Sequence, residues 1–307
     1  MSENLSPTAE RRAPRVVVIG LASCFGCQIN ITNIERHLMD VLGQIDLGYW
    51  QLTSSVPMPD EFDVAVIEGA VTTEEAAEMV RRARERAGSV IAIGSCAVTG
   101  GIPGMASGDL AGHVEAVYGD VAPDACGDLV APRPVSDVID VDFEVRCCPI
   151  DPMEFVRVLD AALYGSNRLP ATSALCGECS RNEKGCFYKQ GIMCLGLVTR
   201  AGCGAKCPAL GRPCNGCAGL SPDSNVEAAR YVVGKRGLEV ARFNDALEMF
   251  NAVALAAAQG EEEPHGRYRD FRRPHRPRRG PRRHPPRHRG RPGHDLRDGR
   301  GGAGAPV

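Results

Sequence analysis

Residues 16–21 read Val-Val-Val-Ile-Gly-Leu, an apolar run that predicts a buried β-strand early in the chain. Comparable runs at Asp63–Gly69 and Val90–Gly94 predict two more strands, and another is expected around Ile45–Trp50. Apolar and acidic residues alternate over Val135–Val145, which should end in a further strand. This part of the chain therefore supplies the repeated strands of a sheet.

Helical patterns separate these strands. Apolar residues recur with helical spacing over Ile29–Leu42, and Thr73 is placed to N-cap a Glu-rich helix that runs to Ala87. Another helix is expected over Pro152–Tyr164. Strands that alternate with helices predict a parallel sheet with right-handed crossovers, which is an open α/β fold.

The periodic pattern disappears between Leu169 and Leu220, where eight cysteines and many glycines replace it. Few apolar residues are available there for packing, so we expect metal to organise this segment. Helical periodicity returns from Asn225 to about Ala258. The predicted organisation is a flexible leader over 1–14, an α/β domain over 15–165, an irregular domain over 166–258 and a disordered tail over 259–307.

The net charge of −2 conceals two oppositely charged parts. Residues 264–307 contain fourteen Arg and three Asp, a balance of about +11, which leaves about −13 on the other 263 residues. An acidic body has no electrostatic reason to bind nucleic acid, so no such partner is expected. The Pro/Arg/Gly-rich tail is interpreted as a solvated appendage.

Fourteen cysteines in a small secreted chain would predict disulfides. Arg11 and Arg12 form a twin-arginine pair, but the apolar run that follows at 16–21 is too short for a signal peptide. No stretch approaches the roughly 18 apolar residues that span a bilayer. We therefore expect a cytoplasmic chain with no membrane span, in which cysteines bind metal.

Four cysteines follow predicted strands. They are Cys24 and Cys27 in a Cys-Phe-Gly-Cys motif, Cys96, and Cys148 before a proline. Because the carboxyl ends of parallel strands meet at one edge of the sheet, these side chains should converge there. Four thiolates around one point suit zinc or a cubane iron–sulfur cluster.

Glu68 ends another strand at the same edge and is expected beside this site. Cys147 and Cys148 are adjacent, and the residue pattern leaves open which of them faces the metal. Cys126 fits none of the cysteine groups and is interpreted as a free thiol.

Two further quartets of cysteines lie within 42 residues. The first consists of Cys176, Cys179, Cys186 and Cys194, and the second of Cys203, Cys207, Cys214 and Cys217. Zinc remains an alternative, but such crowding favours a series of redox centres. His37 and His113 lie outside both quartets, so all-cysteine ligation is the simplest assignment.

The combined motifs resemble the small subunit of nickel–iron hydrogenases. These motifs are the cysteine pair at 24 and 27, Ile67-Glu-Gly69, Gly94-Ser-Cys-Ala-Val-Thr-Gly-Gly101 and Cys148-Pro149. The run from Cys194 to Pro208 is similar to the soluble, multimeric bidirectional branch, which includes sulfhydrogenase delta and viologen-reducing small subunits. The resemblance covers about residues 15–258.

The resemblance implies a flavodoxin-like domain followed by a small iron–sulfur domain, with three 4Fe–4S clusters. The proximal cluster would be held by Cys24, Cys27, Cys96 and Cys148, because the family's ligand is the cysteine before proline. The distal cluster would be held by Cys176, Cys179, Cys186 and Cys194. The medial cluster would be held by Cys203, Cys207, Cys214 and Cys217.

The implied function is electron transfer, with no catalytic residue on this chain. The nickel–iron centre would belong to a large partner subunit, and electrons would leave through flavin and iron–sulfur diaphorase subunits to a nicotinamide nucleotide. One alternative is the cluster-bearing subunit of respiratory complex I, whose first motif normally has adjacent cysteines and which lacks the eight-cysteine extension. The other is a zinc-binding interaction protein.

Overall fold

The computed structural model describes residues 12–34, 37–119, 127–166, 169–181 and 185–260. Most of the predicted leader, Cys126 and the predicted tail beyond residue 260 lie outside these ranges, so those predictions stand as made.

A five-stranded parallel sheet forms the first part of the fold. In chain order the strands are β1 Arg15–Gly20, β2 Asp46–Trp50, β3 Phe62–Glu68, β4 Val71–Thr73, β5 Ala87–Ile93, β6 Leu129–Arg133 and β7 Phe143–Val145. The sheet has the order β2-β1-β3-β5-β7, while β4 and β6 form a separate antiparallel pair. Counted along the chain, the five sheet strands follow the 2-1-3-4-5 order of flavodoxin, which confirms the predicted fold class.

Helices lie between the strands of the described residues, and further helices follow the last strand. They are α1 Gly26–Thr32, α2 Leu38–Leu42, α3 Glu74–Arg86, α4 Gly94–Thr99, α5 Leu110–Tyr118, α6 Pro152–Tyr164, α7 Lys206–Ala209, α8 Val226–Lys235 and α9 Val240–Gly260. The predicted cap of α3 is confirmed, since the hydroxyl of Thr73 accepts the N–H of Ala76 at 3.1 Å. Asp151 caps α6 in the same way through Glu154.

The single helix predicted over Ile29–Leu42 was wrong, because the structure divides this stretch into α1 and α2. Asn33 ends α1: its backbone N–H bonds the carbonyl of Asn30 at 3.1 Å, and its side-chain amide bonds the Asn30 side chain at 2.9 Å. The apolar period therefore did not decide where this helix ends.

The sheet is covered on both faces, as parallel sheets usually are. On one face Val17 and Ile19 of β1 pack with apolar residues of α3 and α4. On the other face Val16 and Val18 pack with residues of α1 and α6. Alternate side chains of β1 therefore belong to two hydrophobic cores, one on each face of the sheet. This packing on both faces fixes the strands, and with them the start of the loops at the sheet edge.

The segment after α6 has little regular structure. Short 3₁₀ turns occur in it at Leu175–Gly177, Phe187–Gln190 and Leu195–Leu197. Its apolar side chains form a small core with α8 and α9, which includes Phe243 and Leu247. Within the described ranges, no helix has the length and apolar character needed to cross a bilayer.

Helix α9 also reaches the sheet-bearing part of the fold. The side chain of Val253 packs closely on Gly100 and Gly104. A Cβ added to Gly100 would lie 2.7 Å from Cγ2 of Val253, and a Cβ added to Gly104 would lie 3.0 Å from the same atom. The last described helix therefore covers the loop that follows Cys96.

Candidate metal centres

The proximal site consists of Cys24, Cys27, Cys96 and Cys148. Each of its cysteines follows the carboxyl end of β1, β5 or β7, and the site lies where the strand order reverses between β1 and β3. Open α/β sheets bind ligands in the crevice at such a switch point. The structure therefore brings this predicted group to one edge of the sheet.

The proximal thiols influence one another electrostatically. Burial, with smaller contributions from negative charge on Cys217, Cys96 and Cys24, raises the pKa of Cys148 to about 11. Burial also raises the pKa of Cys96, with contributions from Cys24 and Glu68. Several thiolates can share such a site only when a cation compensates their charge. The donor set therefore fits a metal centre.

Two glycines allow the backbone to approach the proximal sulfurs. Gly94 has φ +81°, and a Cβ on it would lie 2.5 Å from the sulfur of Cys27. Gly101 has φ +52°, and a Cβ there would lie 2.9 Å from the sulfur of Cys96. These positions require glycine both for the backbone angle and for space.

Glu68 ends β3 and lies beside the proximal site, as the sequence predicted. Its side chain is 1% exposed and accepts the backbone N–H of Cys27 at 3.0 Å and that of Gln28 at 3.3 Å. Because the first N–H groups of a helix have no partner within it, this carboxylate completes the start of α1. Glu68 thereby fixes the loop that carries the Cys24–Cys27 pair.

Backbone groups also act on the sulfurs of the proximal site. Burial raises the pKa of Cys27 and of Cys96, and the backbone groups of Ile150 and Ile102, respectively, partly offset that rise. Hydrogen bonds from the backbone to sulfur stabilise thiolate and are typical of iron–sulfur sites.

The medial site consists of Cys203, Cys207, Cys214 and Cys217. Burial raises the pKa of Cys207, and Cys217 and Cys203 raise it further. The hydroxyl of Ser95, next to the proximal Cys96, donates to the carbonyl of Cys217, so the medial site adjoins the proximal one. The side chain of Arg146 strengthens this junction by donating to the carbonyl of Ala218 at 3.0 Å.

Cys147 is a residue that sequence reasoning set aside. Interaction with Cys203 and Cys217 raises the pKa of the Cys147 thiol. The same interaction is the main reason that the pKa of Cys203 falls to about 6 and that the pKa of Cys217 is lowered. The charges that act on the next residue, Cys148, are those of Cys217 and of the proximal Cys96 and Cys24. The sequence carried no signal for the interaction of Cys147, because it depends on how the irregular segment packs against the sheet.

The distal site consists of Cys176, Cys179, Cys186 and Cys194. All four line one small cavity. Burial, with smaller contributions from the other three cysteines, raises the pKa of Cys176 to about 11.

The medial and distal sites are in direct contact. The backbone N–H of Cys214 donates to the sulfur of Cys194 at 3.2 Å, and the N–H of Leu195 donates to the carbonyl of Cys214 at 2.9 Å. The sulfur of Cys214 is buried and hydrogen-bonds the hydroxyl of Thr199 at 3.5 Å. These contacts place the two quartets side by side.

No disulfide joins the thirteen cysteines that the structure describes. Among the described residues, no group of three His, Cys, Asp or Glu side chains is arranged to hold a single metal ion. The all-thiolate donors and the backbone N–H groups on sulfur, such as those of Cys214 on Cys194 and of Gly216 on Cys214, fit a sulfur-ligated group. Iron–sulfur clusters are therefore compatible with the residues of these sites.

Comparison with known proteins identifies the family. Residues 24–162 match the family described as "NADH ubiquinone oxidoreductase, 20 Kd subunit". The chain is 36% identical over 210 residues to the delta subunit of sulfhydrogenase 2 from Pyrococcus furiosus, covering 68% of this chain and 87% of that protein. It is 30% identical over 275 residues to a subunit of the vhu F420-non-reducing hydrogenase of Methanococcus voltae, covering 80% and 96%.

A more distant relative is the delta subunit of the NAD-reducing hydrogenase HoxS from Cupriavidus necator, with 28% identity over 49% of this chain and 79% of the relative. A chain in the crystal structure of an NAD⁺-reducing [NiFe]-hydrogenase is 25% identical, with a TM-score of 0.46, over 52% of this chain and 96% of that one. The resemblance that the cysteine motifs indicated is confirmed by the relatives of known sequence. This chain belongs to the family of nickel–iron hydrogenase small subunits.

Proposed function

We propose that this chain is the electron-transfer small subunit of a cytoplasmic nickel–iron hydrogenase. It would relay electrons between the nickel–iron site of a large subunit and a flavin- and NAD(P)-linked partner through three 4Fe–4S clusters. The observation that carries the proposal is the continuous series of contacts that joins the three sulfur-rich sites.

Two hydrogen bonds link consecutive sites in this series. The hydroxyl of Ser95, next to the proposed proximal ligand Cys96, donates to the carbonyl of Cys217, a proposed medial ligand. The N–H of Cys214, another proposed medial ligand, donates to the sulfur of Cys194 in the distal site at 3.2 Å. Consecutive sites are therefore in direct contact through the chain, which supports a relay.

The proposed ligand sets are those implied by the family motifs. The proximal set is Cys24, Cys27, Cys96 and Cys148, the medial set is Cys203, Cys207, Cys214 and Cys217, and the distal set is Cys176, Cys179, Cys186 and Cys194. When bound, clusters would supply one-electron carriers whose potentials depend on charge, hydrogen bonds to sulfur and exposure. The chain's own contribution is to donate N–H groups to sulfur and to limit the access of water.

The proposed partner at the proximal site is the large subunit. Cys24 and Cys148 are exposed in the isolated chain. Ile29, just after the Cys24–Cys27 pair, is 53% exposed, and Ile102, whose backbone acts on Cys96, is 47% exposed. An exposed cysteine group with apolar neighbours supports a protein partner on this edge. Catalysis would occur on that partner, and we assign no catalytic residue to this chain.

A flavin-containing partner at the distal end is supported by one relative, whose name describes an NAD-reducing hydrogenase. The four distal cysteines are partly exposed, which supports an exit for electrons there. The cytoplasmic location is proposed because cysteines that bind metal need a reducing compartment.

The complex I alternative is less well supported. The family match at residues 24–162 accommodates both proteins, but the relative from Methanococcus voltae aligns with 80% of this chain. That alignment must extend into the cysteine-rich segment, which the complex I protein was expected to lack.

The test is metal analysis of the chain purified anaerobically with its co-expressed partner subunits. About twelve irons and twelve sulfides per chain are expected for three 4Fe–4S clusters, with nickel in the partner. Cys24→Ala, Cys207→Ala and Cys186→Ala should each lose about four irons. Cys126→Ala, outside all three sets, is the matched control and should lose none. Stoichiometric zinc with little iron would exclude electron transfer, and about four irons per wild-type chain would favour the complex I alternative.

A further inference from the structure

Three neighbouring strands end around one glutamine. Gly20, Trp50 and Glu68 are the last residues of β1, β2 and β3, which lie side by side in the order β2-β1-β3. Gln28 belongs to the first turn of α1 and directly follows Cys27. It therefore lies at the edge of the sheet that carries the proximal site.

The contacts of Gln28 connect β2 to β3. The indole N–H of Trp50 donates to Oε1 of the Gln28 side chain at 2.7 Å. The backbone N–H of Gln28 donates to the carboxylate of Glu68 at 3.3 Å, and the same carboxylate accepts the N–H of Cys27. Nε2 of Gln28 lies over the end of β1, since a Cβ added to Gly20 would be 3.0 Å from it. One residue thus joins the strands on either side of β1.

The amide of Gln28 is buried at a cost. Its side chain is 0% exposed, and Nε2 has no hydrogen-bond partner among the described residues. The amide cannot turn over to find one, because the indole N–H of Trp50 would then face an NH₂ group. A methionine would fill similar space without an unsatisfied donor. The presence of an amide therefore supports a task for its oxygen, which accepts the indole N–H.

We propose that Gln28 is a positioning residue for Cys27: by joining Trp50 to the start of α1, it fixes the place of the Cys27 sulfur. The inference rests on the proposed function, because it takes Cys27 as a ligand of the proximal cluster. Cys27 is 7% exposed and packs in the same core as Trp50, so the two are held by one set of contacts. Removing a group that orients a metal ligand typically lowers metal affinity about 10–100-fold.

The experiment uses the intact complex, purified anaerobically, with single and double variants. Gln28→Met removes the amide and keeps the length of the side chain, and Trp50→Phe removes the indole N–H. Gln44→Met, at an exposed glutamine, is the matched control. The proximal cluster is identified by electron paramagnetic resonance as the signal that Cys24→Ala lacks. Two properties are measured, the line shape of this signal and the rate at which an iron chelator abolishes it.

We expect each single variant to alter the line shape and to lose the proximal signal about tenfold faster than the wild type. Because the two residues act through one hydrogen bond, the double variant should lose it no faster than the single variants. Gln44→Met should match the wild type in both properties.

A wild-type line shape and decay rate in Trp50→Phe would overturn the inference, and this variant decides the matter if Gln28→Met fails to assemble. A rate about 100-fold above the wild type in the double variant would also overturn it, because the two residues would then act independently. A lower free energy of unfolding with a wild-type signal would leave Gln28 a purely structural role. Failure of the proposed function is distinguishable, since it appears as low iron in the wild-type complex before any variant is measured.

Discussion

The carboxylate of Glu68 lies 3.0 Å from the backbone nitrogen of Cys27 and accepts its hydrogen bond. One end of β3 is thereby joined to the loop that follows β1, within the space where the proximal cysteines meet. The strand end therefore both orients the first cysteine pair and adds a carboxylate beside the thiols.

Glu68→Gln should weaken this loop. The glutamine keeps one acceptor oxygen, but its NH₂ group cannot accept the second N–H, so a buried donor loses its partner. We expect the free energy of unfolding to fall by about 1–3 kcal/mol, measured by anaerobic denaturant titration. Removing a carboxylate should also raise the potential of the proximal cluster. The matched control is Glu61→Gln, at an exposed position, and equal stability of the two variants would contradict this role.

Gly94→Ala should disrupt the proximal site. The new Cβ would lie 2.5 Å from the sulfur of Cys27 on a backbone with φ +81°, so either the cysteine or the loop must move. We expect loss of the proximal cluster, detected as about four fewer irons per chain. Gly108→Ala is the control, because a Cβ there meets nothing within 4 Å. A Gly94→Ala chain with its full iron content would show that the loop accommodates the methyl group.

Arg146→Ala should loosen the junction between the sheet and the medial site. Arg146 donates to the carbonyl of Ala218 at 3.0 Å and to Glu144 at 2.6 Å, and its side chain is only 21% exposed. Hydrogen bonds that involve a charged group contribute about 1.5–3 kcal/mol, and we expect a loss of that size in unfolding free energy.

The control for this variant is Arg157→Ala. That arginine pairs with Glu154 at 3.3 Å and its side chain is 59% exposed, so its removal should cost less than about 1 kcal/mol. If both variants lose the same stability, the contact with Ala218 contributes nothing of its own.

Phe243→Ala should destabilise the cysteine-rich part of the fold. Its ring is 0% exposed and packs in the core that also contains Leu195 and Val198. A cavity of this kind costs about 3–5 kcal/mol, which denaturant titration would detect. Tyr231→Ala, at a side chain that is 65% exposed, should cost less than about 1 kcal/mol. If the Phe243→Ala variant loses the distal cluster and the Tyr231→Ala variant keeps it, the packing of this core supports the distal site.

The parallel sheet and the convergence at its edge could be predicted because both follow from local patterns. Apolar runs gave the strands, and the rule that carboxyl ends share one edge brought Cys96 and Cys148 together. Thr73 was predictable as a cap because it precedes a glutamate-rich helical stretch. Each of these features depends on residues close in sequence or on one general rule of topology.

Features that depend on distant packing could not be predicted. The pairing of β4 with β6 joins Val71 to Arg133, and β4 is only three residues long, so it leaves no periodic signal. The break between α1 and α2 depends on how Asn33 satisfies its own hydrogen bonds. The interaction of Cys147 with Cys203 requires the irregular segment to be docked on the sheet, which no local pattern specifies.

The packing of Val253 on Gly100 and Gly104 has a consequence for the order of events during synthesis. A ribosome releases the N-terminal part of a chain first, and early segments begin to fold before later ones exist. All four proximal cysteines precede residue 149, whereas the helix that covers the Cys96 loop is completed more than 100 residues afterwards. Newly made chains therefore leave this edge of the sheet uncovered until α9 has been synthesised.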